Sequence, residues 1–221
     1  MRTILPWRFL TLSIKVFLVV YLPYFKTLME LLPMSIFICP GFHLPQLTQS
    51  FLQELLLSIN SASNLAINVS IFTAESYTAL SAIHILHDLI KTYGQPRQAA
   101  PVLFISFSAG VLGALGAAWG WELLGGKVKA VIAIDGWGVP LMGNFPIHRL
   151  SHDYFTHQTS IDVNRPEDNF YADPGVEHLQ MWRSPSTVAG WATRADNFLV
   201  RSPGNAAEFI LLLLKRYQEI E

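Results

Sequence analysis

The sequence has little charge, almost no cysteine and no excess of either sign. Of its 221 residues only 14% are charged, against 51% hydrophobic, where an ordinary soluble domain carries roughly 25% charged residues. Intrinsic disorder, which needs low hydrophobicity and high net charge, is excluded. With 15 Lys+Arg against 16 Asp+Glu the formal charge is −1, and the basic excess of a nucleic-acid binder is missing. The single cysteine, Cys39, excludes an intramolecular disulfide. It best fits a reducing compartment, and so a cytoplasmic location, and within its apolar run it reads as a small buried side chain. The length is ample for one domain with a sizeable core. Scarcity of charge leaves two explanations, a membrane protein or a deeply buried core.

The first 33 residues read differently from the rest. Arg2, Arg8 and Lys15 precede an apolar run over 16–25, which Lys26 closes. The run is about half the length of a membrane-spanning helix, and Pro23 interrupts it. Three readings fit: an upstream extension before a true start at Met34, an anchor making peripheral membrane contact through residues 1–33, or a signal peptide without a clean cleavage site. The domain division is an N-terminal extension over 1–33 and a single domain over 34–221.

From Met34 onward, short β-branched runs alternate with segments of helical period. Strands are predicted over 35–39, 66–72, 102–106 and 128–134. Between them Leu47, Phe51, Leu52, Leu55, Leu56 and Ile59 predict a helix over 48–60, and Leu80, Ile83, Leu86, Leu89, Ile90 and Tyr93 a second one ending at Gly94. A third helix is predicted over 111–124. The βαβαβαβ pattern implies a mainly parallel sheet with helices on both faces, a three-layer αβα sandwich. From Gly136 to about Pro203 no strand is evident, and the stretch reads as functional loops. The chain closes on a helix over 206–220, with Asn205 as N-cap and Glu208 at N3.

Between Arg97 and Glu122 there is no charged residue, and Gly116 and Gly120 have G-x-x-x-G spacing. A membrane span is the rival reading there. The strand-like start after Pro101, the flanking strand–helix units and the interruption at 106–110 favour a buried strand, turn and helix instead.

That interruption, Ser106-Phe107-Ser108-Ala109-Gly110, has the form small-x-Ser-x-small between a strand and a helix. It resembles the nucleophile elbow of the α/β-hydrolase family, with Ser106 in place of the usual first glycine. A sharp strand-to-helix turn crowds the positions two before and two after its central residue, so both must be small. Centring the turn on Ser106 would put Phe104 at a crowded position. A second likeness is the strand at 36–39 running into Pro40-Gly41-Phe42-His43. The resemblance implies an oxyanion hole from the backbone of Phe42 and Ala109, with His43 closing the loop rather than acting as the base.

The family's order is Ser, then acid, then His. By that order Asp135, at the end of the strand after the elbow helix, is the acid, as in some lipase-like members. A plain turn aspartate before Gly136 is the alternative. His178 is the favoured base; His152 and His157 are alternatives, with Asp153 nearby, and a degenerate fold with no catalytic histidine remains open. Two groups have helical ligand spacing, His84 with His87 and Asp88, and His148 with His152 and Asp153. Neither has the H-E-x-x-H form, and no metal or other cofactor is expected.

The resemblance therefore implies a minimal member whose sheet is limited to four core strands, with residues 137–203 replacing the later ones. Its activity would be ester or thioester hydrolysis through an acyl-enzyme on Ser108. The substrate would be a small acyl ester or lipid-like molecule, in a pocket to which Trp137, Phe145, Tyr154, Phe155, Trp182 and Trp191 are candidates to contribute. A non-catalytic binding or scaffold protein of the same fold is the alternative. No nucleic acid is expected as a partner.

Overall fold

Strands apolar on both sides must be covered on both sides, and that requirement organises the fold. The structure, a computed structural model, describes residues 35–60, 68–73, 76–159, 167–195 and 197–217. The extension over 1–33, Met34, the start of the strand predicted from residue 66 and the end of the terminal helix beyond 217 lie outside the described residues. In chain order the elements are β1 (Ser35–Cys39), α1 (Pro45–Asn60), β2 (Asn68–Ile71), α2 (Ala82–Tyr93), β3 (Val102–Phe107), α3 (Gly110–Leu123) and β4 (Val128–Ile134). They continue as β5 (Ile147–Ser151), α4 (Tyr154–Thr159), β6 (Asn169–Ala172), α5 (His178–Arg183), β7 (Ala189–Arg194), β8 (Asn197–Asn205) and α6 (Ala206–Arg216).

The protein is α/β. Among the described residues eight strands form one sheet in the order β2-β1-β3-β4-β5-β6-β7-β8. Strands β1 to β6 run parallel, and β7 pairs antiparallel with both β6 and β8. Alternate residues of the central strands enter two separate buried clusters. Ile36, Ile38, Leu103, Ile105, Ile132 and Ile134 meet Phe51 and Leu55 of α1, Trp182 of α5 and Ile210, Leu213 and Leu214 of α6. Phe37, Cys39, Phe104, Val131 and Ala133 meet Ile85 and Leu89 of α2 and Val111, Ala114 and Trp121 of α3. Cys39 is fully buried, and burial pushes its thiol up, so it stays an inert thiol.

The uncharged run divides into β3, a turn and α3. The small residues of α3 serve close packing on α2: a Cβ at Gly116 would lie 2.6 Å from Ala82 Cβ, and one at Gly120 2.7 Å from Leu86 Cδ2. Among the described residues no helix is long and apolar enough to cross a membrane. At the other end, Asn205 and Glu208 make both bonds of the capping box that starts α6.

The four-strand sheet expected from the sequence is corrected. Four further strands lie within 147–205. They escape sequence reading because their composition is polar or broken: β5 is Ile-His-Arg-Leu-Ser, and β8 carries Pro203 and Gly204. All of β5 is nonetheless buried. Its histidine is met by tertiary partners: His148 Nδ1 lies 3.2 Å from the Asp168 carbonyl and Nε2 2.8 Å from the Tyr217 hydroxyl. Asp168 is bonded in turn by the Arg216 guanidinium and, at 2.8 Å, by the Ala195 N–H. The end of α6 is thereby tied to the strands beside it.

Burial pushes the His148 imidazole down to about 4, against an ordinary value of 6.5. The unfolded chain therefore binds more protons between those two values. Stability is fully present above pH 6.5 and is lost as pH falls towards 4. We expect a loss on the order of 3 kcal/mol from this residue, with His157, also held near 4, acting in the same direction. Urea unfolding at neutral pH and near pH 4 measures it, and His148→Gln should flatten the slope.

Candidate active site

In a parallel sheet a cleft opens where successive connections leave in opposite directions, at the carboxyl ends of the strands concerned. Here β1 lies between β2 and β3, so that point falls between the ends of β1 and β3. The loop at Pro40-Gly41 and the turn at Ser108 meet there. A Cβ on Gly41 would sit 2.9 Å from Ser108 Cβ and 3.4 Å from Ala109 N; one on Gly110 would sit 2.4 Å from the Cys39 carbonyl oxygen. Glycine at both positions is a steric demand of two backbones in contact. Ser106 is buried beneath the turn, where its hydroxyl donates to the Ile132 carbonyl at 3.2 Å.

Ser108 has φ +52°, and Asp135, at the end of β4, has φ +51°. Each left-handed non-glycine costs about 1–3 kcal/mol. Both are held by the sheet: Ser108 N–H donates to the Ile134 carbonyl at 2.9 Å and Asp135 N–H to the Leu150 carbonyl at 2.8 Å. The strained turns lift both side chains off the ends of neighbouring strands.

His178 meets them from the first residue of α5. Its Nε2 is 3.0 Å from Ser108 Oγ, and its Nδ1 is 2.9 Å from Asp135 Oδ2. A carboxylate only accepts, so Nδ1 carries the proton and Nε2 offers its lone pair to the serine hydroxyl. Asp135 is buried at 4% exposure, whereas the His178 side chain is 41% exposed. The imidazole is oriented by aromatic stacking as well. It lies 4.7 Å from the Phe107 ring, Phe107 lies 5.1 Å from Trp182, and Trp182 lies 3.9 Å from Phe51. Sequence reasoning did not single out Phe107 or Phe51 for this role. The available signal was positional: Phe107 precedes the elbow serine, and Trp182 follows His178 by one helical turn.

His152 reaches Asp135 from the end of β5. Its N–H donates to Oδ1 at 2.8 Å, and its Nδ1 stands 3.1 Å from Oδ2 without the alignment of a hydrogen bond. The Asp135 carboxylate holds the His152 imidazole above its ordinary range, against the opposing effect of burial. The carbonyl of His152 accepts from Val176 N–H at 2.9 Å, which ties the two histidine-bearing segments together. His157 points elsewhere: its Nδ1 is 3.5 Å from Arg149 Nη2 and its ring packs on Tyr154 and Tyr171. Burial and the Arg149 and Arg201 cations push it down to about 4.

The remaining residues singled out from sequence are distributed as follows. Phe42 is exposed and packs edge-on against Tyr77. Ala109 is the N-cap position of α3. His43 Nδ1 closes on its neighbour's carbonyl, at 3.0 Å from Leu44 O, and its ring packs beside Phe107 and Trp182. Burial lowers its imidazole. His84 Nδ1 bonds the capping Ser81 hydroxyl at 2.7 Å. The grouping of His148 with His152 and Asp153 on one helical face is corrected, because 147–151 is a strand: His148 turns to Asp168 and Tyr217, away from the other two.

A cavity of about 510 Å³ opens beside Ser108, lined by Leu80, Ala109, Leu112, Asp135, Trp137, Val139, His152, Thr156 and His178. Of the aromatic residues expected there, Trp137 alone is among the lining residues. Phe145 and Trp182 are core, Trp191 donates to Asp173 Oδ2 at 2.9 Å, and Tyr154 and Phe155 are exposed.

No protein-family model matches the chain, and no curated protein matches it in sequence.

The steric reading of the elbow predicts that Gly110→Ala is destabilising. The new methyl meets carbonyl oxygens at 2.4 and 2.5 Å, and both are backbone, so a loop must shift. A loss of about 1–3 kcal/mol is expected, read as a lower denaturant midpoint at unchanged slope.

Proposed function

We propose that this chain is a serine hydrolase of the α/β-hydrolase type, with a three-layer αβα core, acting on a small acyl ester or thioester. The observation that carries the reading is the hydrogen-bonded chain Ser108 Oγ–His178 Nε2, 3.0 Å, and His178 Nδ1–Asp135 Oδ2, 2.9 Å. A serine hydroxyl is a weak nucleophile until a base takes its proton and a carboxylate orients that base.

In the proposed reaction Ser108 Oγ bonds to the acyl carbonyl carbon as its proton passes to His178 Nε2. Asp135 stabilises the imidazolium through the Nδ1–H. In this reading the tetrahedral oxyanion is met by the Ala109 and Phe42 N–H groups; the close contact of Gly41 with Ser108 and Ala109 supports it. His178 then returns the proton to the departing alcohol or thiol oxygen or sulfur, leaving an acyl-serine. Water attacks the acyl carbon as His178 takes its proton; the intermediate then collapses, the C–O bond to Ser108 breaks, and His178 Nε2 returns that proton to Ser108 Oγ as the acid product leaves. Leu80, Leu112, Trp137 and Val139 give the cavity an apolar wall suited to an acyl chain. The buried, unpaired Cys39 supports a cytoplasmic setting.

A fluorophosphonate probe should label the wild type and leave Ser108→Ala unlabelled. His178→Ala and Asp135→Asn should each lower kcat for a short acyl ester on the order of 10⁴-fold with KM little changed. Absence of labelling in the folded wild type, or equal labelling of Ser108→Ala, overturns the hydrolase reading in favour of a non-catalytic scaffold.

A further inference from the structure

Two histidine nitrogens converge on one carboxylate oxygen, which is more than a proton relay requires. His178 Nδ1 is 2.9 Å and His152 Nδ1 3.1 Å from Asp135 Oδ2, and the potential ligand atoms of the three residues lie within 4.8 Å of one another. The His152 nitrogen is buried and faces the carboxylate without the alignment of a hydrogen bond. The geometry points to a binding site for a borderline-soft divalent cation, Zn²⁺ or Co²⁺, held by Asp135, His152 and His178.

Three observations support it. With bonds of about 2.0–2.1 Å, a tetrahedral zinc holds its ligand atoms roughly 3.3 Å apart; the two nitrogen–oxygen distances, 2.9 and 3.1 Å, need open by only a few tenths of an ångström, and all the ligand atoms lie within 4.8 Å of one another. Each imidazole already turns Nδ1 inward and has an outer partner at Nε2: Ser108 Oγ at 3.0 Å for His178 and Asp153 Oδ2 at 3.5 Å for His152. Metal-binding histidines are characteristically oriented by such outer partners. All three residues also line the cavity, which leaves a coordination position for water. Two nitrogens and one oxygen select zinc or cobalt over oxygen-seeking magnesium or calcium.

Such a cation competes with the proposed hydrolysis. Bound at His178 Nδ1, it uses that lone pair and leaves the proton on Nε2, which can no longer accept from Ser108. This inhibitory consequence rests on the hydrolase reading, whereas the binding itself does not.

The test titrates chelator-treated, dialysed protein with Co²⁺, followed by visible absorption, and with Zn²⁺, followed by calorimetry. One equivalent should bind, with the intense visible bands of a four- or five-coordinate cobalt, and Zn²⁺ should abolish them. His152→Ala and Asp153→Asn, each checked for folding by circular dichroism, should weaken binding by about tenfold or more; Asp153→Asn keeps a helix-capping side chain if the alanine variant fails to fold. Ser108→Ala, which removes the outer partner of His178, should weaken metal binding in the same direction. Zn²⁺ should also block fluorophosphonate labelling of the wild type, with EDTA restoring it. No cobalt bands in the wild type, or unchanged affinity in the folded variants, overturns the site. Metal binding without any labelling overturns the hydrolase reading alone.

Discussion

The buried carboxylate of Asp135 is the joint on which the site depends. One oxygen accepts the His152 N–H at 2.8 Å and the other faces His178 Nδ1 at 2.9 Å, so the ends of β4 and β5 and the start of α5 are tied together at one side chain. A carboxylate out of contact with water must find such donors or forfeit its charge. The donors available are the groups that the proposed chemistry needs in fixed positions. Structure and the proposed mechanism thus make the same demand at Asp135, and the left-handed backbone there is held to β5 by the bond from its N–H to the Leu150 carbonyl.

A second constraint is the meeting of two backbones at the ends of β1 and β3. Gly41 and Gly110 have no room for a Cβ, and the contact they permit sets the Gly41 loop against Ser108 and Ala109. The stack of Phe107, Trp182 and Phe51 then links the exposed imidazole to the core beneath it. The result is a partly open site on a rigid base. His178 is exposed enough to meet a substrate, and everything that aims it is buried.

Reading the sequence went furthest where hydrophobic pattern and steric need are local. Strand β4 was legible to the residue, β1 likewise, and α3 to within one residue at each end, because continuous apolar runs bounded by Pro and Gly admit few alternatives. Ser108 was legible because the crowding of its turn demands small neighbours at 106 and 110. Strands β5 to β8 were not: buried polar side chains such as His148 and Arg149 erase the pattern, and their stability comes from partners such as Asp168 and Tyr217 that are distant in sequence. The expected aromatic lining failed for a related reason, since an aromatic residue serves a core or a cavity equally well until its neighbours are known.

By itself the sequence determined a parallel α/β core, the position of a strand–serine–helix turn, and a short set of downstream histidines. Only the tertiary structure decided which histidine faces Ser108. His152, His157 and His178 have similar local chemistry, and their selection depends on where β5, α4 and α5 emerge relative to the end of β4. That placement is set by long-range strand pairing and core packing, which no local pattern encodes. The double approach of His152 and His178 to Asp135 has the same origin: residues 17 and 43 positions away converge on one carboxylate because the sheet brings their segments to a common edge.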